Sequence, residues 1–118
     1  MRAVDKHSGV PAYLHIMNAV KKEIILGNLR EGERLPPVRE LKNIFAVNVN
    51  TVIRALEKLC ESGILEAKHG VGHFVKKGKM VDAKTIEILK ESVKKLKESG
   101  VDLNTAILIL EEVWRNVE

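Results

Sequence analysis

The stretch "VNVNTVIRALEKLCESGIL" (residues 47–65) opens polar and turns aliphatic. At the α-helical step of about 100° per residue, Val52, Ala55, Leu56 and Leu59 form the centre of an apolar arc, with Val49, Ile53 and Cys60 on its flank. Asn50, Arg54, Glu57, Lys58 and Glu61 fall on the opposite side. Asn48 is a suitable N-cap, and Ser62-Gly63 ends the helix as a C-terminal glycine does. A plain capped helix explains this pattern. So does a helix that buries one face and offers amide, hydroxyl and guanidinium groups on the other, and the flanking sequence has to decide between them.

Upstream, "AYLHIMNAVKKEIILGNL" predicts a helix with Tyr13, Ile16, Val20 and Ile24 on one side, adjoined by Met17 and Ile25. "REGERLPP" reads as a turn at Glu31-Gly32 followed by a stop at Pro36-Pro37, with Pro37 at the first position of a new helix. In that short helix, "PVRELKNIF", Val38, Leu41 and Phe45 face inward and Arg39, Glu40 and Lys42 outward or sideways. Downstream, "GILEAKHGVGHFVKK" predicts strands at Ile64 to Lys68 and His73 to Lys76, joined through Gly70 to Gly72. The order is helix, helix, helix, hairpin.

After Gly78 the strand signals end. "AKTIEILKESVKKLKE" carries Ile86, Leu89, Val93 and Leu96 at helical spacing, and Asp102 caps a second helix, "LNTAILILEEVWRNV". Its stripe of Leu103, Ile107, Leu110, Trp114 and Val117 is widened by Leu108 and Ile109 beyond what one neighbouring helix covers. "KKGKM" is the expected linker.

With 118 residues the chain has room for one core and a small appendage, which excludes a large multidomain enzyme. Aromatic residues are 3% of the chain, so the core has to be aliphatic, as in helical packing. No run reaches the ~18 apolar residues of a membrane span, and "MRAVDKHSG" has no apolar segment of the kind a signal peptide carries. A cytoplasmic protein that does not enter membranes is expected. Cys60 is the only cysteine, so no internal disulfide forms. The net charge of +4 is uneven. Residues 1–80 hold 14 Lys+Arg against 8 Asp+Glu, and residues 81–118 hold 6 against 8. A polyanionic partner for the first segment and a different task for the second suit that division.

Two short helices joined by a tight break, with a glycine-tipped basic hairpin after them, describe a winged helix-turn-helix. The second helix of such a unit enters a major groove with its N-terminal residues toward the bases. Asn48, Asn50, Thr51 and Arg54 supply the groups needed there, since asparagine pairs with adenine N6 and N7 and arginine with guanine O6 and N7. Gly70 and Gly72 let the hairpin tip approach a sugar-phosphate backbone, and Lys68, His69, Lys76 and Lys77 bring positive charge. Taken singly, each feature has a plainer explanation: Asn48 and Thr51 as caps, Arg54 paired with Glu57 or Glu61, the glycines as an ordinary turn. Their order along the chain is the specific signal. His69 and His73 have metal spacing for a helix but lie across a hairpin, so no metal and no cofactor is expected.

The run from Leu29 to Val75 resembles the DNA-binding domain of the GntR superfamily of transcription regulators. "VNVNTVIRA", "LEKLCESGIL" and the N-terminal "SGVPAYLHI" are similar to the YtrA-like subfamily, which also ends in a short two-helix segment. The resemblance implies a mainly α fold with a small β-hairpin: residues 1–78 as a winged helix-turn-helix DNA-binding domain, residues 79–118 as a two-helix dimerisation segment. It implies a homodimeric repressor on double-stranded DNA. Arg39 matches a family arginine that reaches the DNA, Asn48, Asn50, Thr51 and Arg54 match the recognition-helix contacts, and His69 and Gly70 match the wing tip. Many relatives carry arginine where this chain has Val49 or Ile53, so no base contact is carried to those positions. Val71 replaces the usual basic residue between the wing glycines. Ile107, Leu108, Leu110 and Trp114 are the expected dimerisation residues. The rival readings are a nonspecific architectural DNA binder and a protein-interaction module on the same scaffold. No motif supports an enzyme, and no small-molecule effector is assigned.

Overall fold

The computed structural model describes residues 1–78 and 80–118, and the chain divides into two compact units, Met1–Met80 and Val81–Glu118. Lys79, in the expected linker, lies outside the described residues. In the first unit α1 (Ala12–Ile25), α2 (Val38–Phe45) and α3 (Val49–Glu61) precede an antiparallel hairpin of β1 (Leu65–Lys68) and β2 (Gly72–Val75).

The core is aliphatic, and Phe45 is the single buried ring among the described residues. Ile16, Val20 and Ile24 come from α1, Leu41 joins Phe45 from α2, and Val52, Ala55, Leu56 and Leu59 from α3. Helix α3 packs on α1, α2 and β1 at once, so its inner stripe is held from three directions. Burying each large aliphatic side chain stabilises the unit by about 1.5–3 kcal/mol. Ile25 departs from expectation and is exposed, because it lies about 100° round the helix from Ile24 and off the buried stripe.

The hairpin pairs Leu65 with Val75 and Lys68 with Gly72. Against the sequence expectation β1 starts one residue later and ends as expected at Lys68, and β2 is displaced by one residue toward the N-terminus. Ile64 belongs to the turn leaving α3, where its N–H donates to the Leu59 carbonyl at 3.0 Å. The sequence also hides a further edge. Segment 33–35 runs along the other side of β2, with Leu35 N–H donating to the His73 carbonyl and Val75 N–H to the Glu33 carbonyl, both at 2.8 Å, and Arg34 bridging Phe74. Leu35 anchors it in the core. Three extended residues before two prolines are too few to show strand alternation.

In the second unit α4 (Ala83–Glu98) and α5 (Leu103–Asn116) are joined by a turn at Gly100, φ +76°. Asp82 and Asp102 cap them, accepting from the N–H groups of Thr85 at 2.8 Å and Thr105 at 2.7 Å. The Thr105 N–H holds the Asp102 carboxyl below its ordinary range. Neither helix has a buried residue. No described helix is long and apolar enough to cross a membrane.

The turn between α2 and α3 contains Ala46 at φ 53°, ψ 50°, the one described non-glycine residue in the left-handed region. A Cβ there costs roughly 1–2 kcal/mol, and glycine returns part of that gain through unfolded-chain entropy. Ala46→Gly is expected to stabilise the protein by about 0.5–1 kcal/mol in urea denaturation. A loss of stability would show that the turn is not strained.

Candidate nucleic-acid interface

Because Val52, Ala55, Leu56 and Leu59 point inward, the first two turns of α3 turn Asn50, Ile53 and Arg54 outward. Asn48 is the N-cap, its side-chain oxygen accepting from the Asn50 N–H at 2.8 Å. That oxygen is committed to the helix start. The Asn50 side-chain amide makes no hydrogen bond among the described residues, and Thr51 beside it is half-buried. Val49 and Ile53 are 38% and 40% exposed, where the arc of the helix wheel puts them at the flank of the core. The arc is too wide for the surface that α1, α2 and β1 provide.

Arg54 pairs with neither Glu57 nor Glu61, since the one ion pair among the described residues joins the Met1 amino group to Glu23. Its guanidinium instead stacks on the Tyr13 ring, 4.0 Å from the centroid, with the Lys58 ammonium 5.5 Å from the same centroid. Stacking occupies one face of the guanidinium and leaves its in-plane N–H groups free for bidentate bonds. Tyr13, Pro11 and Ala12 of the α1 end border a shallow depression with Asn50, Thr51 and Arg54. Arg39 is exposed on the first turn of α2.

On the hairpin, Lys68 lies 4.5 Å above the Phe74 ring centroid, and His69 and Gly70 are exposed at the tip. Gly70 has φ +73°, and a Cβ built there meets nothing within 4 Å, so the backbone geometry requires glycine and the tip is open. At Gly72 a Cβ would stand 2.9 Å from Arg34 Nε. The guanidinium of Arg34 therefore occupies the space that a side chain at 72 would take. Burial lowers the His73 pKa from its ordinary value, which disfavours the charged form of that ring. Burial likewise pushes the Cys60 thiol up, which keeps it a quiet thiol. Among the described residues no group of three or more His, Cys, Asp or Glu is placed to hold a metal.

Tyr13 and Arg34 are the groups that sequence reasoning missed. Tyr13 falls on the α1 inner stripe, and only its place at the end of that helix turns its ring toward Arg54. Arg34 sits in a segment that reads as a turn, and its approach to Gly72 depends on the hidden edge of β2.

The model of the bacterial regulatory proteins, gntR family, matches residues 12–75. The chain is 31% identical to the HTH-type transcriptional repressor YtrA of Bacillus subtilis (strain 168), over 100% of this chain and 95% of that protein. A transcriptional antiterminator from Listeria monocytogenes EGD-e matches in structure with a TM-score of 0.64 and 27% identity, over 95% of this chain and 88% of that one. The N-terminal domain of AraR, solved in complex with mutant ORR3, matches with a TM-score of 0.56 and 26% identity, over 58% of this chain and 99% of that one. The matched region holds the three helices and the hairpin, and the YtrA likeness extends through the two helices beyond them. The chain belongs to the gntR family of bacterial regulatory proteins, as a transcription regulator with a winged-helix DNA-binding domain and a YtrA-like build.

Proposed function

We propose that this chain is a cytoplasmic repressor that binds an inverted-repeat operator in double-stranded DNA as a homodimer. The observation that carries this reading is the outer face of α3, where a free Asn50 amide stands beside an Arg54 guanidinium held by a ring and not by a carboxylate. Arg54 reads guanine and Asn50 adenine in the major groove, with Thr51 at phosphate or base. Asn48 serves mainly as the cap and offers only its amide N–H groups to DNA. Arg39 holds phosphate from α2. The wing follows the backbone with Lys68, His69 and Gly70, and Arg34 supplies beside Gly72 the positive charge that Val71 does not. The repressor assignment follows YtrA, which carries that description.

Residues 81–118 join the two copies. Leu108 at 67% and Trp114 at 79% exposure, with Ile107 and Leu110 also open, leave an apolar surface on α5, and such a surface is a liability unless covered. A second copy of the same segment covers it with two-fold symmetry, which places two α3 helices about one DNA turn apart, ~34–36 Å.

Arg54→Ala is expected to cost about 1–3 kcal/mol in operator affinity and to relax preference at one base pair per half-site, whereas Arg39→Ala and Arg34→Ala weaken all sequences alike and each reduce the salt slope by about 1. Fluorescence-anisotropy titration against single-base variants of a selected duplex separates the two patterns. An unchanged preference profile for Arg54→Ala would refute its reading role, and equal affinity of the intact chain for any competitor duplex would favour a nonspecific binder.

Leu110→Asp, or a chain ending at Lys79, is expected to sediment as a folded monomer, because a carboxylate buried without a partner costs a few kcal/mol on each side of a two-fold interface. Both variants then bind the operator much more weakly with the same preference per half-site. A monomeric intact chain at micromolar concentration would contradict the arrangement.

A further inference from the structure

We infer that Val49 and Ile53 form an apolar reading ridge that packs on thymine C5-methyl groups in the major groove, making them specificity-determining residues alongside Asn50 and Arg54. The inference deepens the proposed DNA-binding function and rests on it. The two side chains stand one helical turn apart on the first two turns of α3 and are 38% and 40% exposed. On the helix, Ile53 lies about 60° from Asn50 and Val49 about 100° from it, so an element that reaches bases with Asn50 brings the ridge to the same groove floor. Arg54 lies on the other side of Asn50, held by Tyr13. The outer face is thus divided into an apolar strip, a central amide and a guanidinium.

Isolated exposed aliphatic residues are ordinary on protein surfaces. This pair differs in three ways. It is contiguous, it is β-branched with a stiff χ1 and so presents a fixed surface, and it occupies the part of the helix that is nearest the groove in this fold. Later on the same helix, exposed Glu57 and Glu61 repel phosphates and confine close contact to the first two turns. The partner is chosen by chemistry. Along the major-groove edge of the four bases, thymine alone carries a methyl group, and apolar side chains recognise it. Covering one methyl is worth about fourfold in affinity.

The consensus selected by the intact chain from random duplexes is therefore expected to contain at least one fixed A·T pair per half-site in addition to the pair whose adenine Asn50 reads, on the side of it away from the position read by Arg54. Replacing that thymine by uracil removes only the methyl and keeps every hydrogen-bonding group of the base edge. With the intact chain, uracil should weaken binding about fourfold at each contacted position. With Ile53→Ala or Val49→Ala, thymine and uracil duplexes should bind equally well at the position that the altered residue covers. Both substitutions replace exposed β-branched residues by the better helix former, and unchanged thermal melts confirm that α3 is intact. Cytosine to 5-methylcytosine in place of the fixed pair gives an independent reading, since the added methyl should recover affinity with the intact chain and not with Ile53→Ala.

Specific binding with no uracil-sensitive position, with uracil sensitivity that persists in both alanine variants, or with no fixed A·T pair in the half-site besides the one that Asn50 reads would overturn the inference while leaving operator recognition standing. Loss of self-association in sedimentation of Ile53→Ala would also overturn it, by making the ridge a protein contact. Absence of any preferred duplex would remove both the inference and the function on which it rests.

Discussion

Every functional feature of the first unit depends on the burial of one side of α3. Val52, Ala55, Leu56 and Leu59 are all but inaccessible and are packed on from α1, α2 and β1. A helix gripped on three sides cannot rotate without exposing several aliphatic side chains, at about 1.5–3 kcal/mol each. Its outer residues are therefore presented at fixed angles before any ligand arrives. Preorganisation of this kind lets a few side chains discriminate, because little ordering is left to be done on binding.

The same constraint reaches the neighbouring elements. Because α1 packs along α3, its first turn ends near the outer face of α3, where the Tyr13 ring meets Arg54. Because β1 follows α3 directly, the hairpin is set at a fixed place relative to that helix, and the segment 33–35 completes its other edge. Arg34 is brought to Gly72 by that edge pairing and by no local sequence feature. The second unit obeys a different logic. Its helices are well capped by Asp82 and Asp102 but bury nothing fully, which leaves a surface suited to association.

Much of the fold was legible in the sequence because the signals were local and mutually consistent. The three helices follow from apolar spacing and from Pro37, Asn48 and Gly63, and the hairpin follows from Gly70 and Gly72 between β-formers. Features set by long-range pairing were not legible. The bridge from Arg34 to Phe74 spans α2, α3 and β1, and no short window of sequence contains it. The helix wheel separated α3 into inner and outer faces and put Val49 and Ile53 at the flank, but it could not give how far they open to solvent, since the width of a buried arc depends on how much surface the neighbours offer. The wheel also left Arg54 between two states, a solvated ion pair or a free guanidinium. Contact with Tyr13, 41 positions away, resolves the choice.

The central claim is that two rigidly presented α3 helices read one operator together. Selection of bound sequences from random double-stranded DNA by the intact chain, at an ionic strength near 0.15 M, tests it most directly. The account predicts enrichment of an inverted repeat whose half-site centres lie about one helical turn, ~34–36 Å, apart. Enrichment of a single unrepeated motif, or no enrichment over the starting pool, would contradict it.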